Sequence, residues 1–171
     1  EVLNIKGLGR NYGKLKAVDD LSFVVPKGTV YGMLGPNGSG KTTTLGMILG
    51  VIKSSTGSFS WFESNNPSNA LKRVGAILEH PNFYPYLSGV DNLKVVADIK
   101  GISHSKIPEI LEQVNLFERG NDPFKAYSLG MKQRLAIGSA LLNDPEVLIL
   151  DEPTNGLDPA GIAEIRSLIT D

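Results

Sequence analysis

Cysteine is absent from the 171 residues, which removes disulfides, thiolate catalysis and thiolate zinc sites together and fits a reducing compartment. A dominant charge is absent too: 17 lysines and arginines against 18 acids leave a net charge of −1. Acids and bases are mixed along the chain, so there is no basic face of the kind a duplex follows, and nucleic acid is not expected as a main ligand. No stretch approaches the roughly 18 consecutive apolar residues of a membrane-spanning helix. Glu1 to Arg10 also lacks the charged-then-apolar order of a secretion signal. Direct membrane insertion is therefore not expected, and any membrane link should come through a partner.

What is present is 41% hydrophobic residues, enough for one core and room for a small lobe. The chain opens on Glu1 rather than methionine and stops inside the apolar helical pattern of Ile165 to Asp171, so both ends read as cut. Leu3 to Ile5, Leu21 to Val25, Thr29 to Leu34 and Ser58 to Phe62 are short β-like runs separated by Gly, Pro, Asn and Asp. Thr29 to Leu34 leads through a glycine-rich loop to Thr42–Val51, where Leu45, Ile48 and Leu49 share a helical face. That order predicts a strand, a loop and a helix. From Gly89 to Leu142 the period turns helical, with Ile107, Ile110, Leu111 and Val114 and then Leu135, Ala136, Ala140 and Leu141. Val147 to Leu150 is wholly apolar and ends on Asp151 and Glu152, the pattern of a buried parallel strand delivering acids at its carboxyl end.

Gly35-Pro36-Asn37-Gly38-Ser39-Gly40-Lys41-Thr42 matches the phosphate-loop pattern in full, and Thr43 follows in the helix. Glycines let backbone N–H groups turn inward around phosphates, and the helix start adds partial positive charge. Lys41 would reach the β- and γ-phosphates, and Thr42 would ligate Mg²⁺. The plainer alternative is a turn whose lysine is merely solvated. In the second site, Asp151 would hold the Mg²⁺ shell and Glu152 would polarise the attacking water. Otherwise the two acids cap the next helix.

Tyr127-Ser128-Leu129-Gly130-Met131-Lys132-Gln133-Arg134 precedes the acid strand, and Asn155-Gly156-Leu157-Asp158 follows it. The order of phosphate loop, helical lobe, signature, acid strand and D-loop resembles the nucleotide-binding domains of ABC transporters across essentially the whole chain. The signature variant resembles the subgroup serving bacitracin-type and lantibiotic exporters. The resemblance implies an α/β P-loop NTPase core with an N-terminal antiparallel β-subdomain and an inserted helical subdomain. Residues 1–171 would form one C-terminally truncated domain, with core at 1–84 and 143–171 and helical lobe at 85–142.

It also implies ATP and Mg²⁺ as ligands and hydrolysis with Glu152 as base. A second ATP-binding domain would pair head to tail, so that Ser128 and Gly130 meet its γ-phosphate in trans. Transmembrane permease subunits would be the other partners, with the chain peripheral on the cytoplasmic face of the cell membrane. The family's usual Leu-Ser-Gly-Gly-Gln is written Tyr-Ser-Leu-Gly-Met here, so Leu129 and Met131 depart from it. Ser128 also reads as a helix N-cap.

By the same resemblance Tyr12 stacks on adenine, with a turn residue as the alternative. Glu79 stands where the Q-loop glutamine contacts Mg²⁺ and water; the alternative is a solvent-facing strand end. His80 and His104 read as surface residues, because the family's switch histidine follows the acid strand by a longer gap. Phe83, Tyr84 and Tyr86 either meet the membrane subunit or pack under the helical lobe. Two rivals stay open: a soluble ABC-type ATPase tied to translation or chromosomes, and an ATP-binding switch with little turnover.

Overall fold

A computed structural model describes residues 1–64, 67–78 and 82–170, the side chains of 67, 68 and 170 excepted. The chain forms two compact units, Glu1–Val74 and Gly75–Asp171.

In the first unit, β1 (Leu3–Tyr12) pairs antiparallel with β2 (Leu15–Val25) on one side and β3 (Thr56–Trp61) on the other. Both hairpin strands are longer than the sequence pattern suggests. The glycines that read as breaks are bulges instead: the β1–β2 register shifts between Ile5 and Leu8 and again before Arg10. Gly7 has φ 58° and Asp20 opposite has φ 51°. A bulge lets a strand absorb a left-handed residue without ending. Tyr12 thus closes β1, with Gly13 at φ 60° beginning the turn.

Helix α1 (Lys41–Ile48) ends at Leu49, and Gly50 at φ 74° stops it short of Val51. Its buried residues are Thr44, Gly46, Met47 and Ile48, so the inward face is rotated from the expected Leu45, Ile48 and Leu49. Trp61, itself buried, donates its indole N–H to the Ile48 carbonyl at 2.8 Å and pins the helix end to β3. The short helix α2 (Pro67–Leu71) completes this unit.

The expected strand Thr29–Leu34 does not form. Val30 is 99% and Leu34 94% exposed. A strand needs a ladder partner, and residues 29–34 join neither the β2-β1-β3 sheet nor any other described strand. Apolar content alone carries no information about which partner is at hand.

The second unit pairs β4 (Val74–Ile77) with β5 (Val147–Leu150). Around them stand α3 (Gly89–Lys100), α4 (Ile107–Gln113), α5 (Leu129–Leu141) and α6 (Pro159–Thr170). The helical periodicity is borne out: Ile107, Ile110, Leu111 and Val114 are buried with Leu93, Leu116, Phe124 and Leu135 in one cluster. Ala136, Ile137 and Ala140 face Ile77 and Ile165 in a second. Ser88 caps α3, its hydroxyl oxygen accepting the Asp91 N–H at 3.0 Å. Within β5 only Ile149 is fully buried among the four apolar residues.

Candidate functional site

The phosphate loop is built by glycine stereochemistry. Gly38 and Gly40 sit at φ 80° and 88°, the left-handed region open to glycine at little cost. Ser39 donates its N–H to the Pro36 carbonyl at 3.2 Å, closing the turn. Gly40 caps α1, and its carbonyl accepts the Thr44 N–H at 2.8 Å. A Cβ on Gly40 would lie 2.4 Å from the Ala17 carbonyl oxygen, so the loop lies directly on β2.

Lys41 folds back over this loop. Its ammonium donates to the carbonyls of Gly35 at 2.9 Å and Pro36 at 3.1 Å. The cation is therefore held at the mouth of a turn whose N–H groups belong to a helix start, an arrangement suited to anions. Beside it lies a cleft of about 540 Å³ lined by Val18, Phe23, Tyr31, Ser39, Gly40 and Lys41 among others. Phe23 and Tyr31 stack with centroids 4.8 Å apart. Thr42 and Thr43 follow in the first turn of α1, both partly exposed, and Asn37 is exposed at the loop tip. Tyr12 does not line the cleft; the residue is 46% exposed and its ring carries the Arg10 guanidinium 4.5 Å above it.

In the second unit, Asp151 is buried at the end of β5 and its N–H donates to the Ile77 carbonyl at 3.0 Å. Glu152 turns outward at once, with φ 48° and an exposed side chain. A positive φ is uncommon for a long side chain and needs surrounding contacts to hold it. Asn155 supplies them: its N–H donates to the Glu152 carbonyl at 3.0 Å and its Nδ2 to Glu152 Oε2 at 3.2 Å. Sequence reasoning missed Asn155 as a partner of the acid.

The signature opens α5. Ser128 is the N-cap, with its Oγ accepting the Met131 N–H at 3.2 Å, as the capping expectation required. A Cβ on Gly130 would meet nothing closer than 4.0 Å, and Leu129 is 43% exposed. Met131 turns into the helical core, which accounts for an apolar residue there. The D-loop stands close by: a Cβ on Gly156 would lie 3.2 Å from Leu129 Cδ2.

Glu79 and His80 lie outside the described residues. His104 is an exposed residue whose Nε2 lies 2.7 Å from Asp98 Oδ1, as expected for the surface. The aromatic cluster divides: Phe83 stacks edge-on against Phe124 at 5.2 Å, while Tyr84 and Tyr86 are 48% and 72% exposed.

Residues 18–155 match the protein family described as ABC transporter. The chain is 49% identical over 173 residues to the bacitracin transport ATP-binding protein BcrA of Bacillus licheniformis, covering 98% of this chain and 56% of that protein. It is 43% identical over 168 residues to the lantibiotic transport ATP-binding protein SrtF of Streptococcus pyogenes, covering 98% and 73%. Among solved structures, one described as the ATP binding subunit of an ABC transporter superposes with a TM-score of 0.83 at 30% identity, covering 99% of this chain and 73% of the other. The expected α/β P-loop NTPase fold class is borne out by that likeness. The chain spans little more than half the length of BcrA.

Proposed function

Because the chain belongs to the ABC transporter ATP-binding family, we propose that it binds and hydrolyses ATP to drive membrane export, of antibiotic-like peptides or small molecules. The observation that carries the reading is the Lys41 ammonium held by the Gly35 and Pro36 carbonyls beneath a helix start. The terminal phosphates of ATP replace those two neutral acceptors with charged ones, and a charge-assisted hydrogen bond is about twice as strong as a neutral one. The loop N–H groups from Gly35 to Thr43 then cradle the phosphates, and Tyr12 takes the adenine face.

Thr42 and Asp151 are hard oxygen donors, the chemistry that suits Mg²⁺, and the carboxylate of Glu79 belongs to the same set. When bound, Mg²⁺ offsets phosphate charge. Glu152 takes the proton of the attacking water, and Asn155 holds the carboxylate that receives it. Ser128 and Gly130 present the start of α5 to the γ-phosphate of a second, head-to-tail domain. Residues 85–142 act as the helical lobe, and exposed Tyr84 and Tyr86 face the permease subunit on the cytoplasmic side of the membrane.

The test is an ATP titration of wild type against Lys41→Ala. Most of the affinity should go, since Lys41 is the loop's own side-chain cation. An unchanged Kd overturns the assignment.

A further inference from the structure

The residue before the signature N-cap is Tyr127, a tyrosine where the resemblance has leucine. It is 4% exposed, within the main helical cluster. Its hydroxyl donates to the Arg119 carbonyl at 2.8 Å, and its ring lies 5.8 Å from that of Phe124. On the other side is the start of α3: a Cβ on Gly89 would lie 2.3 Å from the Tyr127 hydroxyl oxygen. The turn that receives the hydroxyl is tied to that same helix start, since Gly89 N–H donates to Asp122 O at 3.3 Å and Val90 N–H to Gly120 O at 2.9 Å. Three segments therefore meet at one phenol oxygen: the start of α3, the 119–122 turn and the entry to α5.

The strand of chain entering α5 is tied in as well. Phe124 donates its N–H to Leu87 O at 2.8 Å and Lys125 to Pro85 O at 2.9 Å, and Ser88 bridges Pro123. The segment delivering Ser128 is thus laddered to the loop that carries Tyr84 and Tyr86. Backbone bonds fix its path along that loop. They also tie it to the α3 start at Ser88, Gly89 and Val90, and the Tyr127 hydroxyl adds a side-chain bond joining the entry of α5 to the 119–122 turn.

We infer that Tyr127 is a positioning residue for the signature: its buried hydroxyl on the Arg119 carbonyl sets where Ser128 and the first turn of α5 stand. The inference rests on the reading that this turn meets a γ-phosphate. Burial, with Asp122 adding to it and Arg119 opposing, pushes the phenol above its ordinary pKa, so the hydroxyl stays a donor across the working pH range. Leucine at this position fills the core and cannot fix the turn by a directional bond.

The experiment uses the intact protein with ATP and Mg²⁺. Tyr127→Phe removes only the hydroxyl. Nucleotide Kd without turnover should stay at the wild-type value, because Lys41 and its loop are untouched. The kcat should fall about tenfold, the scale of one well-placed hydrogen bond, and the Met131 amide should exchange faster. Gly89→Ala reaches the same oxygen with Tyr127 in place and should reproduce the kcat loss, which keeps the test meaningful if Tyr127→Phe folds poorly. Wild-type kcat in either variant overturns the inference. Gly130→Asp tests the underlying reading separately: the position has room for a side chain, and a carboxylate there repels phosphate. If Gly130→Asp keeps full kcat, the turn meets no phosphate and the reading itself fails.

Discussion

Asn155 holds Glu152 twice, by its side-chain amide on Oε2 at 3.2 Å and by its N–H on the carbonyl at 3.0 Å. The pair lets a left-handed glutamate keep one orientation at the end of β5, where Asp151 is buried and Glu152 exposed. Glu152→Gln should keep ATP binding and slow hydrolysis by about a hundredfold or more, the range for a lost positioned base. Asn155→Ala should cost roughly tenfold, since the base stays but loses its aim. Steady-state ATPase rates with a parallel nucleotide titration check both. Equal rates for Glu152→Gln and wild type would put the base elsewhere.

Gly40 and Gly38 share a left-handed backbone but differ in surroundings. A Cβ on Gly40 would meet the Ala17 carbonyl oxygen at 2.4 Å, whereas one on Gly38 has nothing within 4 Å. Gly38→Ala should cost about 1 kcal/mol of backbone strain alone. Gly40→Ala adds a clash with β2 and should cost about 2–4 kcal/mol, with a matching loss of ATP affinity. Thermal unfolding and ATP titration of the two variants give the comparison. Equal losses would mean that the loop does not rest on β2.

Asn92 is 1% exposed and clamps the aromatic loop. Its Oδ1 accepts the Tyr84 N–H at 2.8 Å, and its Nδ2 donates to Tyr84 O at 3.1 Å and Ser88 O at 3.0 Å. Asn92→Ala leaves the Tyr84 N–H without its acceptor, while the Tyr84 and Ser88 carbonyls keep the Leu87 and residue-92 N–H donors, and should cost about 1–3 kcal/mol. Asn92→Asp keeps the acceptor for Tyr84 but loses the three Nδ2 donations, to the Tyr84, Ser88 and Leu87 carbonyls. The Tyr84 amide should therefore stay protected from hydrogen exchange in Asn92→Asp and lose protection in Asn92→Ala.

Local features were legible in the sequence because their chemistry is written in consecutive residues. The glycines and Lys41 of the loop, the Ser128 cap and the acids after Val147–Leu150 all need only near neighbours to be read. The helical periodicity was legible for the same reason, with Ile107, Ile110, Leu111 and Val114 buried together. Non-local facts were not. Whether Thr29–Leu34 is a strand depends on a ladder partner that its own residues do not name. The length of β1 turned on Gly7 being a bulge opposite Asp20, which looks like any other glycine until the register is known. Asn92, Asn155 and the Tyr127 hydroxyl act through partners 3 to 8 residues away on turns, a spacing without a periodic signature.

The start of α3 gives a prediction in pH. Asp91 accepts from Lys94 Nζ at 2.9 Å and from the Ser88 hydroxyl at 2.8 Å, while Ser88 Oγ accepts the Asp91 N–H. The Lys94 ammonium first, and the Ser88 hydroxyl second, hold the Asp91 carboxyl below its ordinary value of 3.8. A carboxyl lowered in the folded state binds fewer protons there than in the unfolded chain, so its stabilisation is fully present above the unfolded value. It is lost as pH falls through the lowered folded value. The Asp91 side chain is 48% exposed, so solvent screens the effect and keeps it small. The expected outcome is that Asp91→Asn lowers the melting temperature at about pH 6 and that the gap to wild type closes toward about pH 2. Ser88→Ala should cost ~1 kcal/mol at neutral pH through the lost cap. Melting curves of the three proteins across that range decide the matter, and a gap between wild type and Asp91→Asn that does not change with pH would show that the pair does not titrate with folding.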